Sequence, residues 1–309
     1  MSAGGAAKLH LMAGPTNLPL PEPPPSRAPI VGVLLRAGLF LLFVRILGGL
    51  FGWTLNELIG YFPAAALSIF AAASLATLIV LRTFERARFV DVGLAWSPES
   101  ARHFGIGLAA GAIPAAAAIL PFVLTGFATY QGVADLSAGY TPGRFMMVFV
   151  LLLFGAIGEE LMFRGYAFQI ILNIARPYTT ILPFAVLFAA AHTGNLHASW
   201  LPILNTFLWG VVLGYAYVRS GDLWLPIGLH FGWNLALPLL GAPLSGFDMP
   251  ITGFTLKWAV PEMVSGGSYG PEGGIVTTVM AALLFFWLVR AKIEKQPTAL
   301  WVSSNQDEE

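Results

Sequence analysis

Glu159, Glu160, His192, His230 and Asn234 fall within apolar stretches of the sequence, where a group that ionises or hydrogen-bonds strongly is costly. A charged side chain at bilayer depth costs about 2.5 kcal/mol or more even on a lenient insertion scale, so such residues face a protein interior or a water-filled cavity and mark function. The five residue types together suit hydrolysis. A glutamate in a poorly solvated site can act as general base and take a proton from water, and a histidine within reach can share or orient that water. A second histidine and an amide can then donate hydrogen bonds to the oxyanion of a tetrahedral intermediate. Glu159 fits the base, His192 its partner, and His230 with Asn234 the donors. This is amide hydrolysis without a covalent enzyme intermediate.

Helical geometry assigns these groups unequal tasks. In Gly158-Glu159-Glu160-Leu161-Met162-Phe163-Arg164, a rotation of about 100° per residue puts Glu160 and Arg164 on nearly the same face and leaves Glu159 with no cation on its own helix. Glu160 and Arg164 therefore read as a supporting pair and Glu159 as the carboxylate free for chemistry. His230 and Asn234 are four residues apart and project from one face. His10, His103 and His197 are weaker candidates, and His197 is not assigned to catalysis. No Gly-x-Ser-x-Gly nucleophile elbow is read, cysteine is absent, and the HExxH helix of a zinc protease is missing. One metal scheme stays open, in which Glu159, His192 and His230 ligate zinc with water in the fourth position and Asn234 has a supporting or substrate-binding role.

The elements that must position these residues are membrane helices. Of 309 residues 57% are hydrophobic and 10% charged, against about 25% charged in a soluble domain. Lys plus Arg equals Asp plus Glu at 16 each, so the balance gives no argument for nucleic acid. Apolar runs at 31–52, 62–81, 104–128, 145–172, 179–196, 200–218, 223–240 and 275–291 predict an all-α polytopic bundle of about eight spans. With the N-terminus inside, eleven basic residues fall on inner segments and only Arg144 and Lys257 on outer ones. The positive-inside rule then places both termini in the cytoplasm of a cell-membrane protein.

Around the spans, 1–30 reads as a disordered Pro-rich tail and 31–130 as N-terminal transmembrane helices with a basic inner loop. The segment Arg82 to His103 is expected to be either an interfacial helix or a plain connecting loop. The outer loop 241–274, rich in Gly and Pro, is expected to be irregular or to cover part of the bundle. The final helix is 275–291, and 292–309 is a polar cytoplasmic tail. Gly107 with Gly111, Gly210 with Gly214, and Gly228 with Gly232 have the GxxxG spacing that lets helices approach closely in lipid. At 1.5 Å per residue these span limits give Glu159 and His230 similar depths but set His192 about 10 Å or more too far outward.

These residues resemble the motifs of the CPBP (CAAX protease and bacteriocin-processing, Abi) family of intramembrane glutamic endopeptidases. Glu159-Glu160-xxx-Arg164 matches EExxxR, Phe188-xxx-His192 matches FxxxH and His230-xxx-Asn234 matches HxxxN, in that order. Asp91-Val92-Gly93-Leu94 is similar to a common inner-loop sequence of the family. The resemblance makes 140–240 the catalytic core and implies Glu159 as water-activating base, His192 as its partner, and His230 with Asn234 as oxyanion hole. It also implies Glu160 and Arg164 in support, and no required zinc or other cofactor. The implied partners are the lipid bilayer and a membrane-associated peptide or protein substrate, without nucleic acid. The Ala- and Gly-rich sequence has a bacterial character, which favours an unmodified peptide over a prenylated one. The alternatives are a non-catalytic immunity or scaffold protein and, behind it, a zinc protease or a proton-coupled transporter.

Overall fold

The computed structural model describes residues 30–132, 141–249, 251–298 and 300–301. The predicted N-terminal tail, apart from Ile30, and residues 302–309 of the predicted C-terminal tail lie outside them. The chain runs through α1 (Ile30–Ile59), α2 (Tyr61–Val80), α3 (Pro98–Leu124), β1 (Ala128–Gly132), α4 (Pro142–Arg164), α5 (Tyr166–Leu172), α6 (Pro177–Ala191), α7 (Trp200–Ser220), α8 (Trp224–Leu239), β2 (Phe254–Trp258), α9 (Glu262–Ser265) and α10 (Ile275–Arg290).

The bundle is all-α and built for lipid. On α1 the buried stripe Val33, Ala37, Phe40 and Val44 alternates in steps of four and three, while Leu35, Leu42, Ile46 and Leu50 are exposed. Such a helix packs on one side and presents hydrocarbon on the other. Each of the eight predicted runs contains a helix, but five helical segments are long and apolar enough to cross a membrane: α1, α2 with its extension to Glu85, α3, the run Pro142–Leu172, and α7. The helices α6 and α10 are shorter. The helix α8 has 16 residues, and most of its side chains are buried inside the protein, so much of its apolar character serves packing.

The structure corrects or decides three local expectations. The predicted span 145–172 is broken between Arg164 and Tyr166, because Gly165 adopts a non-helical ψ of -133° at the end of α4. A Cβ there would collide with the Leu161 carbonyl. Of the two readings of 82–97, the connecting segment is the one found, without an interfacial α-helix. A wide turn, Leu81–Glu85, extends α2, and a 3-10 turn, Phe89–Val92, follows, where Asp91 accepts from the Arg88 backbone N–H at 2.8 Å and its guanidinium at 3.0 Å. The outer loop carries β2, which pairs antiparallel with β1, Ala128 facing Trp258 and Gly132 facing Phe254. Burial does not alternate along either strand, Ala128 being the one buried residue of β1 and Leu256 that of β2.

The crossing of α3 over α8 fixes the helix that carries His230. A Cβ on Gly107 or Gly111 would strike the Leu225 or Leu229 carbonyl, and one on Gly228 or Gly232 would strike the Phe104 or Leu108 carbonyl. The two GxxxG pairs therefore interlock, each accommodating the other helix's backbone. Gly210 and Gly214 face Ala185 and Ile181 of α6.

Candidate active site

Adjacent residues on α4 point in different directions, as a 100° step requires. Glu160 points into the protein with a side chain 0% exposed, and its Oε1 accepts from Arg164 Nη1 at 3.1 Å. Arg164 also donates from Nη2 to the Gly210 carbonyl at 3.0 Å, and its guanidinium lies 4.7 Å from the Phe188 ring centroid. One buried cation thus joins α4, α6 and α7. Glu160 has a second partner that helical spacing did not reveal: His230 donates from Nδ1 to its Oε1 at 2.8 Å.

Glu159 faces a cavity of about 310 Å³, whose lining includes His192, His230 and Asn234. Its Oε2 lies 3.8 Å from His192 Nε2 and 3.8 Å from His230 Nε2, and has no hydrogen-bond partner among the described residues. Both imidazoles are oriented from behind. His192 donates from Nδ1 to the Phe188 carbonyl at 2.7 Å, as His230 does to Glu160, which leaves each Nε2 aimed at Glu159. Phe188 lies between these groups, its ring centroid 4.7 Å from that of His192 and 6.1 Å from that of His230.

The expected mismatch in the depth of His192 does not arise. The helix α6 ends at Ala191 rather than near 196, and His192 is its C-terminal cap. Its 15 residues span about 22 Å, short of a hydrocarbon core of about 30 Å. Its end can therefore remain buried beside Glu159.

Other candidates separate clearly. His197 is exposed and does not line the cavity. The expectation that no Gly-x-Ser-x-Gly elbow occurs needs correction at the level of pattern, because Gly266-Gly267-Ser268-Tyr269-Gly270 spells it. Ser268 is exposed on a 3-10 turn, lacks the strand-to-helix setting of a nucleophile elbow, and is outside the cavity lining. Among the described residues no group of three or more His, Cys, Asp or Glu is arranged to hold a metal ion.

Glu272, in the outer loop, was missed by sequence reasoning. It lines the same cavity, where its Oε1 accepts from Trp233 Nε1 at 3.1 Å and its Oε2 from Ser245 N at 2.6 Å and Ser245 Oγ at 2.8 Å. Its backbone carbonyl accepts from Asn205 Nδ2 at 2.7 Å. Burial pushes the Glu272 carboxyl above the usual range, against the pull of the Ser245 and Trp233 donors.

Residues 141–236 match the family model described as type II CAAX prenyl endopeptidase Rce1-like. No curated protein and no solved structure matches the chain. The matched segment contains all three motifs and runs from the start of α4 almost to the end of α8. That segment, about a third of the chain, is where this membrane protein is similar to the CAAX protease (CPBP) family.

Proposed function

We propose that this protein is an intramembrane endopeptidase that cleaves an apolar, membrane-associated peptide with a water molecule activated by Glu159. The observation that carries the proposal is the unpartnered Glu159 Oε2, held 3.8 Å from the Nε2 atoms of both histidines at the cavity. Such separations are too long for direct hydrogen bonds. They suit a small reacting group between the three side chains.

In this scheme Glu159 takes a proton from water as the oxygen attacks the peptide carbonyl carbon, and His192 Nε2 accepts the second water hydrogen and aims the nucleophile. His230 donates from Nε2–H to the oxyanion when its ring is doubly protonated. The Glu160 carboxylate stabilises that form through Nδ1–H, and Arg164 balances the charge of Glu160. The Asn234 amide is the second donor. Collapse of the intermediate breaks the C–N bond, and Glu159 returns its proton to the leaving nitrogen. Ala65, Ala66, Ile69, Leu151 and Leu152 line the cavity on α2 and α4, a wall suited to an apolar segment.

The scheme needs no metal, and purified protein incubated with membrane peptides in a chelator tests that directly. Cleavage is expected to persist. Loss of cleavage with chelator and its recovery with zinc would contradict the metal-free scheme and favour zinc held by Glu159, His192 and His230.

A further inference from the structure

The cavity lining contains two carboxylates, Glu159 and Glu272, and neither lysine nor arginine among its described residues. Arg164 is turned away beneath Glu160, with its side chain 1% exposed. The acidic end formed by Glu272 comes from the loop 241–274 and lies outside the segment matched by the family model.

The hydrogen bonds of Glu272 leave capacity for a ligand. An ionised carboxylate offers about four lone-pair sites. Three are used, one on Oε1 by Trp233 and two on Oε2 by Ser245. Two of these donors, the Trp233 indole N–H and the Ser245 backbone N–H, cannot reverse into acceptors. They favour the ionised carboxylate despite burial and direct the remaining Oε1 site. The same bonds, with Asn205 on the Glu272 carbonyl, fasten the loop to α7 and α8.

We propose that Glu272 is a specificity residue, accepting a hydrogen bond from a cationic group of the bound peptide (a Lys or Arg side chain or a free amino terminus) and disfavouring a carboxylate at that position. The inference rests on the peptide-hydrolase reading and narrows its substrate class. The preferred peptide is apolar with a basic group close to the cleaved bond, and one that presents a free carboxylate to Glu272 is a poor substrate. A charge pair in a poorly hydrated site is much less weakened by solvent than one in water.

The test uses the full chain in proteoliposomes and one cleaved apolar peptide made in Lys, Gln and Glu versions at each of three positions on either side of the cleaved bond. The Lys-to-Glu ratio of kcat/KM is expected to reach about tenfold or more at one position, equivalent to about 1.4 kcal/mol. It should fall towards one in Glu272→Gln. That variant turns an amide N–H toward a fixed donor, so the Glu272→Gln, Trp233→Phe double variant, compared with Trp233→Phe alone, provides a version without this clash. An equal Lys preference before and after the change would overturn the proposal, as would preference for Glu. A loop clamp alone predicts no charge-dependent change in the ratio. Binding of the same peptides is measured in Glu159→Gln protein with and without Glu272→Gln. If no peptide is cleaved, the hydrolase reading fails, while the ratio of Kd values still decides the role of Glu272.

Discussion

Glu159 and Glu160 are sequence neighbours with opposite surroundings. One Glu160 oxygen accepts from both Arg164 and His230, while Glu159 presents an unpartnered oxygen at the cavity. The Glu160–Arg164 pair was legible because i to i+4 spacing states it directly. The bond from His230 to Glu160 was not, because it crosses 70 residues of chain. Glu272 was still less legible. It lies in a Pro- and Gly-rich loop without periodicity, and its side-chain partners are 27 and 39 residues away. Removing Arg164 with Arg164→Ala strands the buried Glu160 charge. Loss of one partner of a buried pair costs about 3–5 kcal/mol, so thermal unfolding in detergent should occur at a clearly lower temperature. An unchanged midpoint would contradict the place given to Arg164 as the cation joining three helices.

At the level of elements, existence was readable and length less so. Each predicted apolar run contains a helix, but hydropathy alone gave no reason to end α6 at Ala191, and the depth assigned to His192 inherited that error. The break at Gly165 was hidden inside a continuous apolar run. The GxxxG pairs were visible as spacing, whereas their reciprocal partnership across α3 and α8 was a tertiary fact. Gly232→Ala drives a Cβ into the Leu108 carbonyl, and overpacking of this kind costs about 1–3 kcal/mol. Both thermal stability and peptide cleavage should fall, because α8 also carries His230 and Asn234. Gly105→Ala on α3 meets nothing within 4 Å and serves as the control, with stability unchanged or raised.

For the whole molecule, composition alone identified a membrane protein, and the family match covers the segment that supplies Glu159, His192, His230 and Asn234. The orientation argued from basic residues has a clean test, since the sequence contains no cysteine. Gln131→Cys on β1 and Ala95→Cys before α3 are both at exposed positions. In intact cells an impermeant thiol reagent should label the first, and the second only after permeabilisation; the reverse pattern would invert the topology. The central claim is that Glu159 activates the water that cuts the peptide. Its most direct test compares wild-type protein with Glu159→Gln in liposomes on one membrane-peptide library, reading new peptide termini by mass spectrometry. Wild-type protein should generate defined termini and the variant should do so at least about a hundredfold more slowly, with its unfolding midpoint retained; cleavage by Glu159→Gln at the wild-type rate would contradict the account.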